Sequence, residues 1–154
     1  MTKKERGGPS FFHRHSLSIV SAGVLLLWIV LYDRSDPKTH LGSFFGNAIA
    51  DWTGMLVTVL ATKYMYEIGS AESRRPPRRW LHRGLAGLQE HSLTIFLVLT
   101  GVGWVLWFAH SDTQGKWGQV VGNIVSEWTQ ILGLVVLTKR LMETHSKESA
   151  GQRE

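Results

Sequence analysis

The feature that most restricts this chain is a set of four apolar segments, 16–32, 41–66, 92–109 and 117–137, separated by polar stretches. Each is about the length that crosses roughly 30 Å of hydrocarbon at about 1.5 Å per helical residue. The first and third carry no charged residue at all, so a helix made from either has no face suited to water. A bilayer is the better solvent for them. The expected fold is therefore an all-α membrane protein with four transmembrane helices. Bulk composition conceals this, because 44% hydrophobic and 19% charged residues are sorted into alternating blocks that cancel on averaging.

The charged blocks set an expected orientation. With the N-terminus in the cytoplasm, that side holds Lys3, Lys4, Arg6, Arg14, Lys63, Arg74, Arg75, Arg78, Arg79, Arg83, Lys139, Arg140, Lys147 and Arg153, against Arg34, Lys38 and Lys116 outside. Lysine and arginine concentrate on the cytoplasmic flanks of membrane spans, so a multi-pass cell-membrane protein with both termini cytoplasmic is expected. The net charge of +5 then reflects a basic surface beside anionic lipid, with no need of nucleic acid. The first segment follows basic residues as a secretory signal does. No small-residue cleavage site follows Tyr32, however, and a near-copy of the segment begins at Ser92.

That near-copy belongs to a longer internal match. Displacing the chain by 76 residues aligns 15–73 with 91–149 without a gap, with 20 identities in 59 positions. Gly46-Asn47-x-x-x-Asp51-Trp52-Thr53 pairs with Gly122-Asn123-x-x-x-Glu127-Trp128-Thr129, Thr62-Lys63 with Thr138-Lys139, and Ser70-x-Glu72-Ser73 with Ser146-x-Glu148-Ser149. A unit of two crossings re-enters the membrane in the same sense, so two tandem parallel-repeat hairpins related by an approximate two-fold along the membrane normal are expected. The organisation reads as a basic N-terminus (1–14), hairpin repeat 1 (15–73), a basic linker (74–90), hairpin repeat 2 (91–149) and a short tail (150–154). Arg78 to Gln89 mixes arginines with Trp80, Leu81, Leu85 and Leu88, a pattern suited either to the inner lipid surface or to a downward extension of the third span.

The even-numbered spans carry the chemistry. Gln119, Asn123, Glu127 and Gln130 are spaced by four, four and three, which places them on one helical face. Ser43, Asn47, Asp51 and Gly54 occupy the matching positions. Asp51 and Glu127 fall near the middle of their spans, where a carboxylate costs about 2.5–3.5 kcal/mol on insertion scales. Protonation, hydrogen bonding to neighbouring helices, or a hydrated path with a bound cation can offset that cost. The expectation is that the two acids face each other across the pseudo-axis. Trp52 and Trp128 sit beside them, either as packing residues or as indole donors to the carboxylates. Lys63 and Lys139 lie at span ends and can reach water.

His15 and His91 stand at matching positions at the starts of the first and third spans. Two imidazoles at equal depth are a possible haem or metal ligand pair, and the simpler role is at the lipid headgroups. The chain has no cysteine, which removes disulfides, thiolate metal sites and cysteine nucleophiles. No nucleophile–base pair or glycine-rich phosphate loop is present, so no enzyme is expected.

The stretch from Trp117 to Ser149 resembles a group of small bacterial integral membrane proteins of unknown function, which place a Ser-Glu-x-x-Gln element in their last helix. Here it reads Ser126-Glu127-x-x-Gln130, followed by Leu137-Thr138 and a charged, serine-rich tail. The likeness covers about a fifth of the chain, and the first copy departs from it with Ala50-Asp51-x-x-Gly54. It implies no activity. Three functions follow from the residues themselves. The leading one is a small cation or proton channel or transporter, homo-oligomeric, with a pathway through Asp51, Glu127, Asn47, Asn123, Gln130 and Gln119. The second is an accessory or scaffold subunit whose polar faces meet another membrane protein, and the third is a haem-binding anchor. No cofactor is expected for the leading reading, apart from a bound cation.

Overall fold

The structure, a computed structural model, describes residues 11–74, 85–112 and 114–141. The extreme N-terminus, the Arg78–Trp80 part of the linker and the Ser146–Ser149 element lie outside the described residues. Among the described residues there are five helices: α1 (Phe11–Asp33), α2 (His40–Tyr64), the short α3 (Ala86–Glu90), α4 (Ser92–His110) and α5 (Lys116–Leu137). All except α3 are long and apolar enough to cross a membrane. α1 begins five residues before the apolar segment because Phe11 to His15 contain no helix breaker and continue its turns. α2 stops at Tyr64, where Met65 turns extended and gives its N–H to the Ala61 carbonyl at 2.7 Å.

The turns at the two hairpin tips use the same chemistry. The Asp36 carboxylate accepts from the Lys38 N–H at 2.9 Å, and the Asp112 carboxylate accepts from the Gln114 N–H at 3.0 Å, the aspartate turn that mimics a backbone bend. Ser35 and Ser111 donate their hydroxyls to the carbonyls of Tyr32 and Phe108, at 2.9 and 3.0 Å. Thr39 then caps α2, its hydroxyl oxygen accepting from the Gly42 N–H at 3.1 Å. Gly42 is required there, since a β-carbon would overlap the carbonyl of Asp36.

The four long helices form a row, α1–α2–α5–α4. α2 and α5 pack on each other in the middle, and each carries its own hairpin partner on its outer flank. α2 and α5 run parallel. The start of α5 meets the residues preceding α2, where Lys116 donates to the carbonyls of Asp33 and Ser35 at 2.8 and 2.7 Å and the Tyr32 phenol donates to the Lys116 carbonyl at 2.5 Å. The far ends meet through the hydroxyls of Ser70 and Thr138 at 3.1 Å.

Apolar burial between helices gains little in lipid, so close approach of small residues has to supply the packing. α2 has a stripe of four, Gly42, Gly46, Ala50 and Gly54, all buried. A spacing of four advances about 40° per step around a helix, so the stripe passes from the α1 side to the α5 side. Gly46 receives the Tyr32 ring from α1, and Gly54 receives Glu127 and Ile131 from α5. In the second hairpin the Phe108 ring lies against Gly122 in the same way. The core joins these contacts through Ile49, Ala61, Leu93, Leu97, Val120, Ile124, Trp128 and Val135. The flanks of α1 and α4 expose Leu17, Val20, Leu26, Leu99, Val102 and Trp107, the surface that lipid tails cover.

Candidate functional site

The polar face predicted for α2 and α5 reaches their seam in part. Asn47 and Asn123 meet directly, with Asn123 Nδ2 donating to Asn47 Oδ1 at 2.5 Å. One turn further along, Glu127 rests in the notch left by Gly54. A β-carbon on Gly54 would come within 2.6 Å of Glu127 Cγ and 2.9 Å of its Oε1. The corresponding position on α5 is Gln130, so the notch exists on one helix only. Asp51 is the twelfth of 25 residues in α2, and Glu127 the twelfth of 22 in α5.

The two acids differ in their surroundings. Glu127 is half-buried against α2, while Asp51 stands on open surface. The side chains that hydrogen-bond to each other across the seam are the asparagines one turn away. Gln119, Ser126 and Gln130 are exposed beside them. Ala50, in the position matching Ser126, is 1% exposed, so the two helices present unlike strips to each other. Several hydroxyls on these helices need no external partner. Thr53, Thr62 and Thr129 donate to the carbonyls of Ile49, Thr58 and Ser126 at 2.6, 2.7 and 2.7 Å, the back-bonding available to threonine inside a helix. The exposed amides and carboxylates have no such local outlet.

The indole of Trp128 turns away from the carboxylates. Its Nε1 donates to Thr100 Oγ1 of α4 at 2.9 Å, its ring lies 5.7 Å from that of Trp104, and its Cδ1 closes on Gly101. The possible role as donor to an acid therefore does not hold for Trp128, which ties α5 to α4. Gly101 is a close-approach point, whereas Gly103 faces open space.

His15 and His91 are not brought together. They belong to α1 and to the cap of α4, on opposite flanks of the row, and each ring is engaged by its own neighbour. His15 Nδ1 lies 3.0 Å from Lys63 Nζ, and His91 Nδ1 lies 2.7 Å from Glu67 Oε1. Among the described residues no group of three or more histidine, aspartate or glutamate side chains converges as a metal site.

Glu67 is the polar centre that the periodicity of the spans did not reveal. It lies just beyond α2, is 2% exposed, and its Oε1 accepts from both His91 Nδ1 and Lys139 Nζ at 2.7 Å. Burial alone would raise its pKa. Donors from Lys139 and His91, together with the lysine charge, hold it below the ordinary carboxyl value. Around it, the Tyr66 and Glu67 N–H groups donate to the hydroxyls of Ser92 and Ser73, each at 2.9 Å, and the Ala71 N–H donates to Thr138 Oγ1 at 3.3 Å. The segment after the first hairpin is thus fastened to both helices of the second. The sequence signal was the pairing of Glu67 with Glu143 in the 76-residue match, flanked by paired serines.

A cleft of about 50 Å³ opens between α2, α4 and α5, beside Thr58, Thr62, Leu93, Leu97 and Val135. It has room for a few waters and lies toward the lysine-bearing ends of the helices, away from the two acids. Comparison with protein-family models, curated proteins and solved structures finds no match.

Proposed function

We propose that this chain is a cell-membrane protein with both termini cytoplasmic, and that its copies associate through the α2/α5 polar face to pass protons or small cations along it. The observation that carries this reading is the placement of Asp51 and Glu127 at mid-helix on adjoining parallel helices, with Asp51 on surface that a single chain leaves open. A carboxylate facing hydrocarbon at that depth costs several kcal/mol, and unsatisfied amides beside it add to the cost. A second copy presenting the same face covers them in one step, because a two-fold contact is self-complementary. Four carboxylates then border one seam, where a shared proton or cation relieves their repulsion.

Flux through liposomes containing the purified protein tests this. Proton or cation flux that is lost in Asp51→Asn and Glu127→Gln supports the reading. Absence of flux of protons, monovalent and divalent cations across a range of pH and voltage ends it.

The scaffold reading draws support from the Asn47–Asn123 hydrogen bond, which spends two amides on holding helices together. It expects Asn123→Leu to disrupt assembly, and a stoichiometric membrane partner to co-purify with the unmodified chain.

A further inference from the structure

The two hairpins carry the same pair of nitrogen bases at the same end. His15 and Lys63 in the first correspond to His91 and Lys139 in the second, 76 residues on. In the second hairpin the pair is an oxyanion site, where His91 Nδ1 and Lys139 Nζ both donate to one carboxylate oxygen of Glu67, each at 2.7 Å. In the first hairpin the same two atoms face each other, with His15 Nδ1 3.0 Å from Lys63 Nζ across α1 and α2. An ammonium facing an imidazole makes one hydrogen bond with a neutral ring and none with a protonated one. An oxyanion between them accepts from both, with charge assistance.

The surroundings of the first pair select the kind of oxyanion. α1 and α2 carry one acid each, Asp33 at the hairpin tip and Asp51 at mid-helix, so neither helix supplies a carboxylate at this end. Lys63 is exposed and His15 half-buried, and the adjacent Arg14 is exposed as well. Toward the middle of the spans the surface turns apolar within one helical turn. Ile19 stands four residues after His15 and Leu60 three before Lys63, each on the same helical face as the base it follows or precedes, and both are exposed. Aromatic rings frame the other side. The Phe11 ring lies 4.5 Å from that of His15, and Lys63 Nζ lies 5.3 Å from the centre of the Tyr64 ring. A basic pair above exposed aliphatic surface, at the edge of two spans, matches the order of groups in a phospholipid, with phosphate above acyl chain.

We propose that His15 and Lys63 bind the phosphate of an anionic phospholipid whose acyl chain lies along Ile19 and Leu60. The second hairpin offers no such site, because Glu67 takes the place of the phosphate. The duplicated pair thus serves the lipid in one hairpin and the chain's own fold in the other. This assignment requires neither flux nor self-association.

Native mass spectrometry of the full-length protein released from mixed micelles of phosphatidylcholine and phosphatidylglycerol tests it. The protein is expected to retain phosphatidylglycerol in preference to phosphatidylcholine. Lys63→Gln and His15→Gln should each lower that preference about tenfold, the equivalent of one charged hydrogen bond. Lys63→Arg, which keeps a phosphate donor, should preserve it. Arg140→Gln removes a charge from an exposed residue beyond α5, and at physiological salt should change the preference by less than about twofold. Equal losses in Arg140→Gln and Lys63→Gln overturn the proposal in favour of diffuse surface charge, and so does a preference that no variant alters. Thermal midpoints separate lipid from free anion. Stabilisation by phosphatidylglycerol that inorganic phosphate reproduces in phosphatidylcholine micelles, and that Lys63→Gln abolishes for both, overturns the assignment to lipid.

Discussion

Asn47 and Asn123, 76 residues apart in sequence, are bonded to each other side chain to side chain at 2.5 Å. Residues at the same place in their respective hairpins thereby meet at the seam between them. The contact settles which helices form the middle of the molecule. It also sets the height of the acids, since Asp51 and Glu127 each lie four residues beyond their asparagine.

The two amides are expected to be energetically coupled. Asn47→Ala and Asn123→Ala should each destabilise the protein in detergent, and the double variant should cost less than their sum, with a coupling of about 0.6–1.7 kcal/mol. Strictly additive losses would show that neither amide depends on the other.

Gly54→Ala places a methyl group where Glu127 Cγ and the Ile131 side chain now lie. Overpacking of this kind costs about 1–3 kcal/mol. The same substitution in a Glu127→Ala background should cost less, because the first obstacle is gone. Equal losses in both backgrounds, read from thermal unfolding, would locate the strain elsewhere.

Glu67 gives the protein an acid-sensitive fastening. Its folded-state pKa is lowered, so its contribution is present above the ordinary carboxyl range and is lost as pH falls through the folded value. Glu67→Gln should destabilise by about 1–3 kcal/mol at neutral pH, the cost of a weakened charged hydrogen bond. The gap between variant and unmodified protein should close in acid. A gap that is independent of pH would mean that the glutamate charge contributes nothing.

Trp128→Phe should cost about 0.5–1.5 kcal/mol through loss of the bond to Thr100. Thr100→Val should cost a similar amount, and the two together little more than either, since one interaction underlies both. Unaltered thermal midpoints in all three would remove this bond from the account of α4–α5 packing.

Four spans were legible because length and the absence of charge are local properties that hydrocarbon thickness converts directly into a helix. The polar stripe on α5 was legible for a related reason, as Gln119, Asn123, Glu127 and Gln130 announce a shared face by spacing alone. The exact seam was not. Asp51 and Glu127 look equivalent in the alignment of the two hairpins, and they part only because α5 lies against Gly54 and Ala50 while α2 meets a different strip of α5. The small-residue stripe from Gly42 to Gly54 was present in the sequence as a four-residue spacing, but its partners are set by packing. Glu67 was hidden for another reason: its partners are 24 and 72 residues away, on elements whose meeting no local pattern encodes.

The parallel course of α2 and α5 has an electrical consequence. Each long helix carries about half a positive charge at its N-terminus and half a negative charge at its C-terminus. Two aligned neighbours reinforce each other along the middle of the molecule, with Lys63 and Lys139 standing at the negative ends. The antiparallel α1 and α4, of similar summed length, cancel most of the net dipole and leave the reinforcement only along the seam. The polarity is therefore local to the seam between α2 and α5, and the molecule as a whole carries little net helix dipole along its long axis.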